Sequence, residues 1–235
     1  MYVTGHVYVI GQVHVRLILR KVETTMAQAA AESEQAAAAP VGVNATPLGL
    51  FAFGLTLLVL SFINAGLIIP AVGAGLNIIV GLALFYGGLV MLLVGMLEFR
   101  AGNNFTGTVF SSYSALWLSF GFIVFPATGI LAALVKEGTL STGLGLYLLA
   151  WTIFTALMVI CVLRTNVVLI AIFVLVTLTL LALTIAFLQG AGGNFFHALG
   201  GYLGIVSSLL AWYLALAGIL PYINPGLKLP VGPVS

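Results

Sequence analysis

From Leu48 to Leu220 the chain is an almost unbroken succession of apolar runs. A water-soluble fold has no interior that could hide so much apolar surface, so the runs have to meet lipid. They fall near residues 48–69, 74–97, 105–125, 141–163, 167–188 and 196–220, each about the 20 residues a helix needs to cross the hydrocarbon core. Between them lie Pro70-Ala71-Val72-Gly73, Glu98 through Asn104, Pro126 through Leu140, Arg164-Thr165-Asn166 and Gln189 through Asn194, all with turn or charge character. Strands of a membrane barrel would alternate apolar and polar positions, whereas these runs are apolar on every face. The expected fold class is an all-α membrane protein of six transmembrane helices. The region past Pro126 stays apolar up to Val135, which allows a longer, kinked third helix.

Of the 235 residues 62% are hydrophobic and 5% are charged, against about 25% charged in an ordinary soluble domain. The cations still carry information, because Lys and Arg are enriched in cytoplasmic loops. Arg16, Arg20, Lys21, Arg100, Arg164 and Lys228 fall on one side of a six-span chain and Lys136 on the other. Both termini are therefore expected in the cytoplasm, and one span more or fewer would scatter this pattern. Residues 1–43 read as a poorly structured cytoplasmic leader: the first 25 alternate loosely before collecting Arg and Lys, and 26–43 are Ala-rich with Ser, Gln and Glu. Met26 offers an alternative start. The six-helix domain then covers 44–228, and 229–235 form a short tail.

Small residues recur at helical spacing. Ala74, Gly81, Gly88 and Gly95 are seven apart on the second span, and Gly200, Gly204 and Ser208 are four apart on the sixth. Such seams let helix backbones approach closely where lipid provides no hydrophobic drive to association.

Chemistry inside the spans is limited. Glu98, Arg100, Lys136, Glu137 and Arg164 all sit at span ends, so no mid-helix lysine is available for a retinal Schiff base. An H-E-x-x-H metal site and a G-x-S-x-G elbow are absent, His197 is the membrane region's one histidine, and Cys161 is the single cysteine. Catalysis, metal binding and cofactors are not expected, and so few cations give no footing for nucleic acid. The polar residues within the spans are neutral: Asn64, Asn77, Tyr86, Ser111, Ser112, Tyr113, Ser114, Thr152, Thr155, Thr177, Thr179, Thr184, Tyr202, Ser207 and Ser208. They can line a wetted path or bond one helix to another. The density of Ser111-Ser112-Tyr113-Ser114 is better explained by a path along the third helix. A monoanion could be handled by hydroxyls and amides, or cross as its protonated acid, so the residues by themselves lead to a channel or transporter for a small solute.

Asn44-Ala45-Thr46-Pro47-Leu48-Gly49-Leu50, then Phe53-Gly54 and Asn64-Ala65-Gly66, resemble the opening signature of the acetate uptake transporter family, the YaaH/SatP-like acetate and succinate permeases. The likeness continues through Phe85-Tyr86-Gly87-Gly88, Gly95-Met96-Leu97-Glu98, Gly102-Asn103-Asn104-Phe105, Ser112-Tyr113 with Leu116-Trp117, Tyr147 with Trp151, His197 and Leu229-Pro230-Val231-Gly232. It spans roughly residues 44–233. The chain departs from the family at Asn44-Ala45, where Asn-Pro is common.

What the resemblance implies is a homo-hexamer of six-helix protomers in the cytoplasmic membrane, each passing small monocarboxylates such as acetate, with succinate, lactate and protons as further candidates. Each pathway would narrow at a Phe, a Tyr and a Leu, which map onto Phe53, Tyr113 and Val176. Val for Leu removes one methylene and predicts a wider constriction. Asn44 and Pro47 can cap the first helix or face the path, and Leu48, Gly49, Tyr86, Asn104 and Ser112 belong to the same signatures. Asn64 suits pore lining or an interhelical bond. Glu98 beside Arg100 reads as a solvated ion pair or a contributor to the vestibule field. His197, near the outer end of the last helix, suits proton sensing or a hydrogen bond at the helix start. Alternatives to transport of carboxylates are a membrane assembly protein and a channel for another small neutral solute.

Overall fold

The computed structural model describes residues 16–17, 19–28, 44–67, 75–190 and 194–234. Two units divide after Val43. In the first, residues 19–28 are helical, with Thr24 and Thr25 hydroxyls donating back to the carbonyls of Arg20 and Lys21. The alternating stretch before Arg16, the Ala-rich segment 29–43, Pro70-Ala71-Val72-Gly73 and Ala74 lie outside the described residues.

The second unit holds helices α1 (Thr46–Ala65), α2 (Leu76–Arg100), α3 (Asn104–Val124), α4 (Ile130–Lys136), α5 (Leu140–Val162), α6 (Val167–Leu188) and α7 (Asn194–Ile223). Among the described residues six helices, all but α4, are long and apolar enough to cross a membrane. Pro47 sits in the first turn of α1, where its missing N–H costs nothing. The far end of α1 stops at Gly66, whose φ of 66° is the left-handed conformation that glycine adopts without strain. On α6 the Asn166 side chain accepts the Leu169 N–H at 2.8 Å, an N-cap.

One expectation needs correction. The third span does not run on as a kinked helix past Pro126. Phe125 turns extended before the proline, because the residue ahead of a proline disfavours helix, and Val124 is the last residue of α3. A short 3₁₀ turn, Pro126–Thr128, then leads into the separate helix α4. The sixth span ends close to the expected Leu220, α7 continuing through Pro221 to Ile223.

The middle of α2, Leu82–Val90, is wound as a π-helix, a wider winding that often marks close packing or function. Here it meets α3: Ser114 Oγ donates to the Gly88 carbonyl at 2.9 Å, and Gly87 leaves no room for a Cβ against Trp117 and Thr56. α1 packs along α7, α7 along α6 and α6 along α5, while α2 lies on α3. The glycine seams act at these crossings. Gly88 and Gly95 face Leu118 and Ser111 of α3, Gly200 faces Leu183 of α6, and Gly204 faces Ser61 of α1. Gly81 faces open space, so the heptad on α2 is only partly a packing seam.

The tail returns to the bundle. Val167 N–H donates to the Gly232 carbonyl at 2.8 Å and Val234 N–H to the Thr165 carbonyl at 3.0 Å, around an antiparallel bridge between Asn166 and Pro233. Tyr213 OH donates to the Pro230 carbonyl at 2.7 Å. First-turn donors of α6 that a helix leaves orphaned thus find partners in the chain's end.

Candidate permeation pathway

Among the described residues, two cavities at opposite helix ends stand out in this six-helix unit. The first, about 470 Å³, is walled by the start of α1 (Asn44, Thr46, Pro47), the start of α3, the Thr165-Asn166 turn, the end of α7 and Val231 of the tail. The second, about 360 Å³, lies toward the other helix ends, with Asn64 of α1, Leu76 of α2, Leu131 of α4, Leu140 and Tyr147 of α5, and His197 of α7. Arg100 ends α2, and Arg164 and Lys228 lie past the ends of α5 and α7, all on the side of the first cavity, while Lys136 ends α4 on the side of the second. Following the expected bias of cations toward cytoplasmic loops, the first cavity is termed the inner one and the second the outer.

Three residues line both cavities: Phe53, Tyr113 and Val176. Each sits near the middle of its helix, on α1, α3 and α6, and each is more than nine-tenths buried. The Phe53 and Tyr113 ring centroids are 5.6 Å apart. Tyr113 is held on its other sides by Phe154 at 5.9 Å, Phe173 at 6.4 Å and a stacked Trp151 at 6.5 Å. Its hydroxyl donates to Thr155 Oγ1 at 2.8 Å, and Thr155 donates to the Trp151 carbonyl at 2.8 Å. The phenol proton is thereby engaged by α5. What separates the cavities is two aromatic rings and an isopropyl group.

The other sequence candidates divide. Asn44 lines the inner cavity and also accepts the Thr46 N–H at 3.2 Å, so it serves the helix start and the cavity wall at once. Pro47 lines the same cavity, and Asn64 the outer one. Gly49 is buried against the Phe110 ring, where a Cβ would collide. Leu48 is 47% exposed, and Tyr86 packs against the core at the π-helical segment; neither lines a cavity. Asn104 is exposed at the first residue of α3, and Ser112 is half-buried, also away from both cavities.

A path along the whole serine-rich run of α3 is not what forms. Helical periodicity turns Ser111 and Ser114 toward Gly95 and Gly88 of α2, and of the four residues Tyr113 alone lines the cavities. Glu98 is not a solvated partner of Arg100 either. It is 1% exposed, and its two carboxylate oxygens accept from Thr46 Oγ1 at 2.9 Å and Asn103 Nδ2 at 2.7 Å. Through Thr46 this carboxylate braces the mouth of the inner cavity.

Sequence reasoning missed Thr46, Asn103, Asn166 and Val231. Asn166 was legible as an N-cap, since a short polar turn precedes an apolar run. Thr46 lies 52 residues from Glu98, and no local pattern joins them.

Comparison with known proteins follows the same architecture. The chain is 43% identical over 180 residues to ammonia transport outward protein 2 of Saccharomyces cerevisiae, covering 75% of this chain and 61% of that one. It is 38% identical over 200 residues to acetate permease A of Emericella nidulans, covering 80% and 65%. It is 33% identical over 190 residues to the succinate-acetate/proton symporter SatP of Escherichia coli K12, covering 80% of this chain and 95% of SatP. The chain thus spans about three-fifths of the length of the first fungal relatives it matches. Among solved structures, that of the bacterial acetate channel SatP superposes with a TM-score of 0.68 at 30% identity, covering 81% of this chain and 99% of that one. A family model described as GPR1/FUN34/yaaH matches residues 26–235, and the chain belongs to that family.

Proposed function

We propose that this chain passes small monocarboxylates, acetate foremost, through a pathway contained in each protomer, with Phe53, Tyr113 and Val176 as its constriction. The observation that carries the reading is the pair of cavities at opposite helix ends that share only those three residues. Two relatives carry acetate in their names, acetate permease A and the SatP symporter, and the solved SatP structure is that of a bacterial acetate channel.

The chemistry of the constriction favours passage with a proton. Taking a bare carboxylate from water costs several kcal/mol unless charge or hydrogen bonds replace its hydration, and the rings of Phe53 and Tyr113 with the Val176 side chain supply neither. The protonated acid has only a neutral hydroxyl and carbonyl to strip. Accordingly the inner and outer cavities hold the hydrated anion and the constriction passes it with its proton, in agreement with the proton symport named for SatP. The protomer works in the cytoplasmic membrane within a homo-hexamer, its many exposed apolar side chains meeting lipid or neighbouring copies. No step calls for catalysis.

The test is uptake of labelled acetate into liposomes carrying the purified protein, with and without an imposed proton gradient, against protein-free liposomes. Saturable uptake that grows with the gradient is expected. Uptake no faster than the leak of acetic acid would refute the reading. The 43% identity to a protein named for outward ammonia transport supports a second reading, a neutral-solute pathway. Ammonia flux in the same liposomes, unaffected by acetate, would favour it.

A further inference from the structure

We infer that His197 gives the outer cavity its charge, so that this cavity binds the carboxylate anion when the imidazole is protonated and releases it when the imidazole is neutral. The inference rests on the reading of the chain as a carboxylate pathway. Among the residues lining the two cavities, only Tyr113, Tyr147 and His197 titrate. Phenols stay neutral across the physiological range, whereas an imidazole changes charge within it. His197 is therefore the one lining side chain of a type that ordinarily titrates near neutrality.

The surroundings suit that role. His197 is half-buried on α7, and its ring meets Phe187 of α6 at 4.8 Å in an edge arrangement. The elements walling the cavity around it, α1 through α6, present Asn64, Trp117, Tyr147 and Thr179 but no carboxylate or ammonium among the described residues. Lys136 and Glu137, at the end of α4, are exposed and line neither cavity. Nothing in the wall neutralises an imidazolium permanently, so a substrate carboxylate is its natural counter-ion. Two of the three buried side-chain polar atoms left without a partner, Trp117 Nε1 and Thr179 Oγ1, belong to residues that line this cavity.

No covalent step is involved: one proton is taken up at His197 as the anion binds, and both leave together toward the constriction or back to water. By reciprocity the anion must also favour protonation of the imidazole by the same factor.

The test is exchange of labelled for unlabelled acetate across liposomes carrying the full chain, with equal pH on both faces, stepped from about 5.5 to 8 around the histidine range. In the wild type the KM for the acetate anion should rise about five- to tenfold over the range, a typical coupling. His197→Gln should flatten the profile at the high-pH KM, and His197→Lys should flatten it at the low-pH KM. A His197→Gln protein that exchanges acetate with the wild-type pH profile overturns this inference alone. Absence of saturable exchange in the wild type overturns the carboxylate reading and this inference with it. Should both variants fail to assemble, NMR titration of His197 in the wild type decides: acetate must move its midpoint upward, and an unmoved midpoint refutes the assignment.

Discussion

Val176→Leu places one extra methylene where the two cavities meet. Val176 is 4% exposed and, with Phe53 and Tyr113, forms the only shared wall. Inserting a methylene into a close-packed site costs about 1–3 kcal/mol. Were that cost carried only while a solute sits between the rings, passage would slow about 5- to 150-fold, at roughly 1.4 kcal/mol per decade. Binding in the inner and outer cavities is untouched, so KM should hold while the maximal rate falls, the pattern of an interaction felt only at the barrier. Lactate, larger than acetate by a hydroxymethylene unit, should lose more than acetate, and Val176→Ala should shift the ratio the other way. The assay is paired uptake of labelled acetate and lactate into liposomes with Val, Leu or Ala at this position. An unchanged acetate-to-lactate ratio across all three would refute the assignment of Val176 to the constriction.

Tyr113→Ala should alter permeation while subunit assembly, followed by size-exclusion chromatography, stays as in the wild type; a protein that no longer assembles would point to packing as the role of Tyr113. Tyr113→Phe keeps the ring and loses only the bond to Thr155, so it should cost about 0.5–1.5 kcal/mol in stability with permeation nearly intact. Glu98→Ala removes the buried acceptor of two part-buried hydrogen bonds, from Thr46 and Asn103, at about 0.5–1.5 kcal/mol for each bond; the melting temperature in detergent should fall, and Glu98→Gln should fall less. Removing residues 229–235 frees the Val167 and Val168 N–H groups, the Thr165 carbonyl and the Tyr213 hydroxyl and takes Val231 out of the inner wall, so both lower stability and faster labelling of a cysteine introduced at position 169 are expected.

The spans were legible because lipid imposes a length, and an apolar run of that length has few other uses. Their limits were less so. Pro126 marks the end of α3, yet the apolar residues after it read as more helix in the same span until the extended Phe125 and the 3₁₀ turn set α4 apart. At the site, position along the chain decides what can be read. Asn44 and Pro47 were visible because helix starts have local rules. Glu98 was misread because its partners are a hydroxyl 52 residues away and an amide in the turn that follows, whereas Arg100, two residues on, looked like the natural partner. The serine run misled for a related reason: composition counts hydroxyls, but only the helical phase tells which of them turn toward α2 and which toward the cavities.

These particulars converge on how such a pathway can discriminate. With neutral residues at the constriction and one titratable imidazole in the outer wall, fixed charge has little part in choosing the solute. An obligate ion would have to leave its hydration shell between Phe53 and Tyr113 without replacement, and the cost excludes it. A weak acid escapes that cost by taking up a proton, so acidity and girth together become the selective properties. On the proposed pathway, girth is set on α1, α3 and α6 by three side chains whose packing the aromatic cage around Tyr113 makes stiff. On this reading the helix seams and the Glu98 brace maintain the frame, and changes in solute range are expected from the volumes at positions 53, 113 and 176 rather than from new charges.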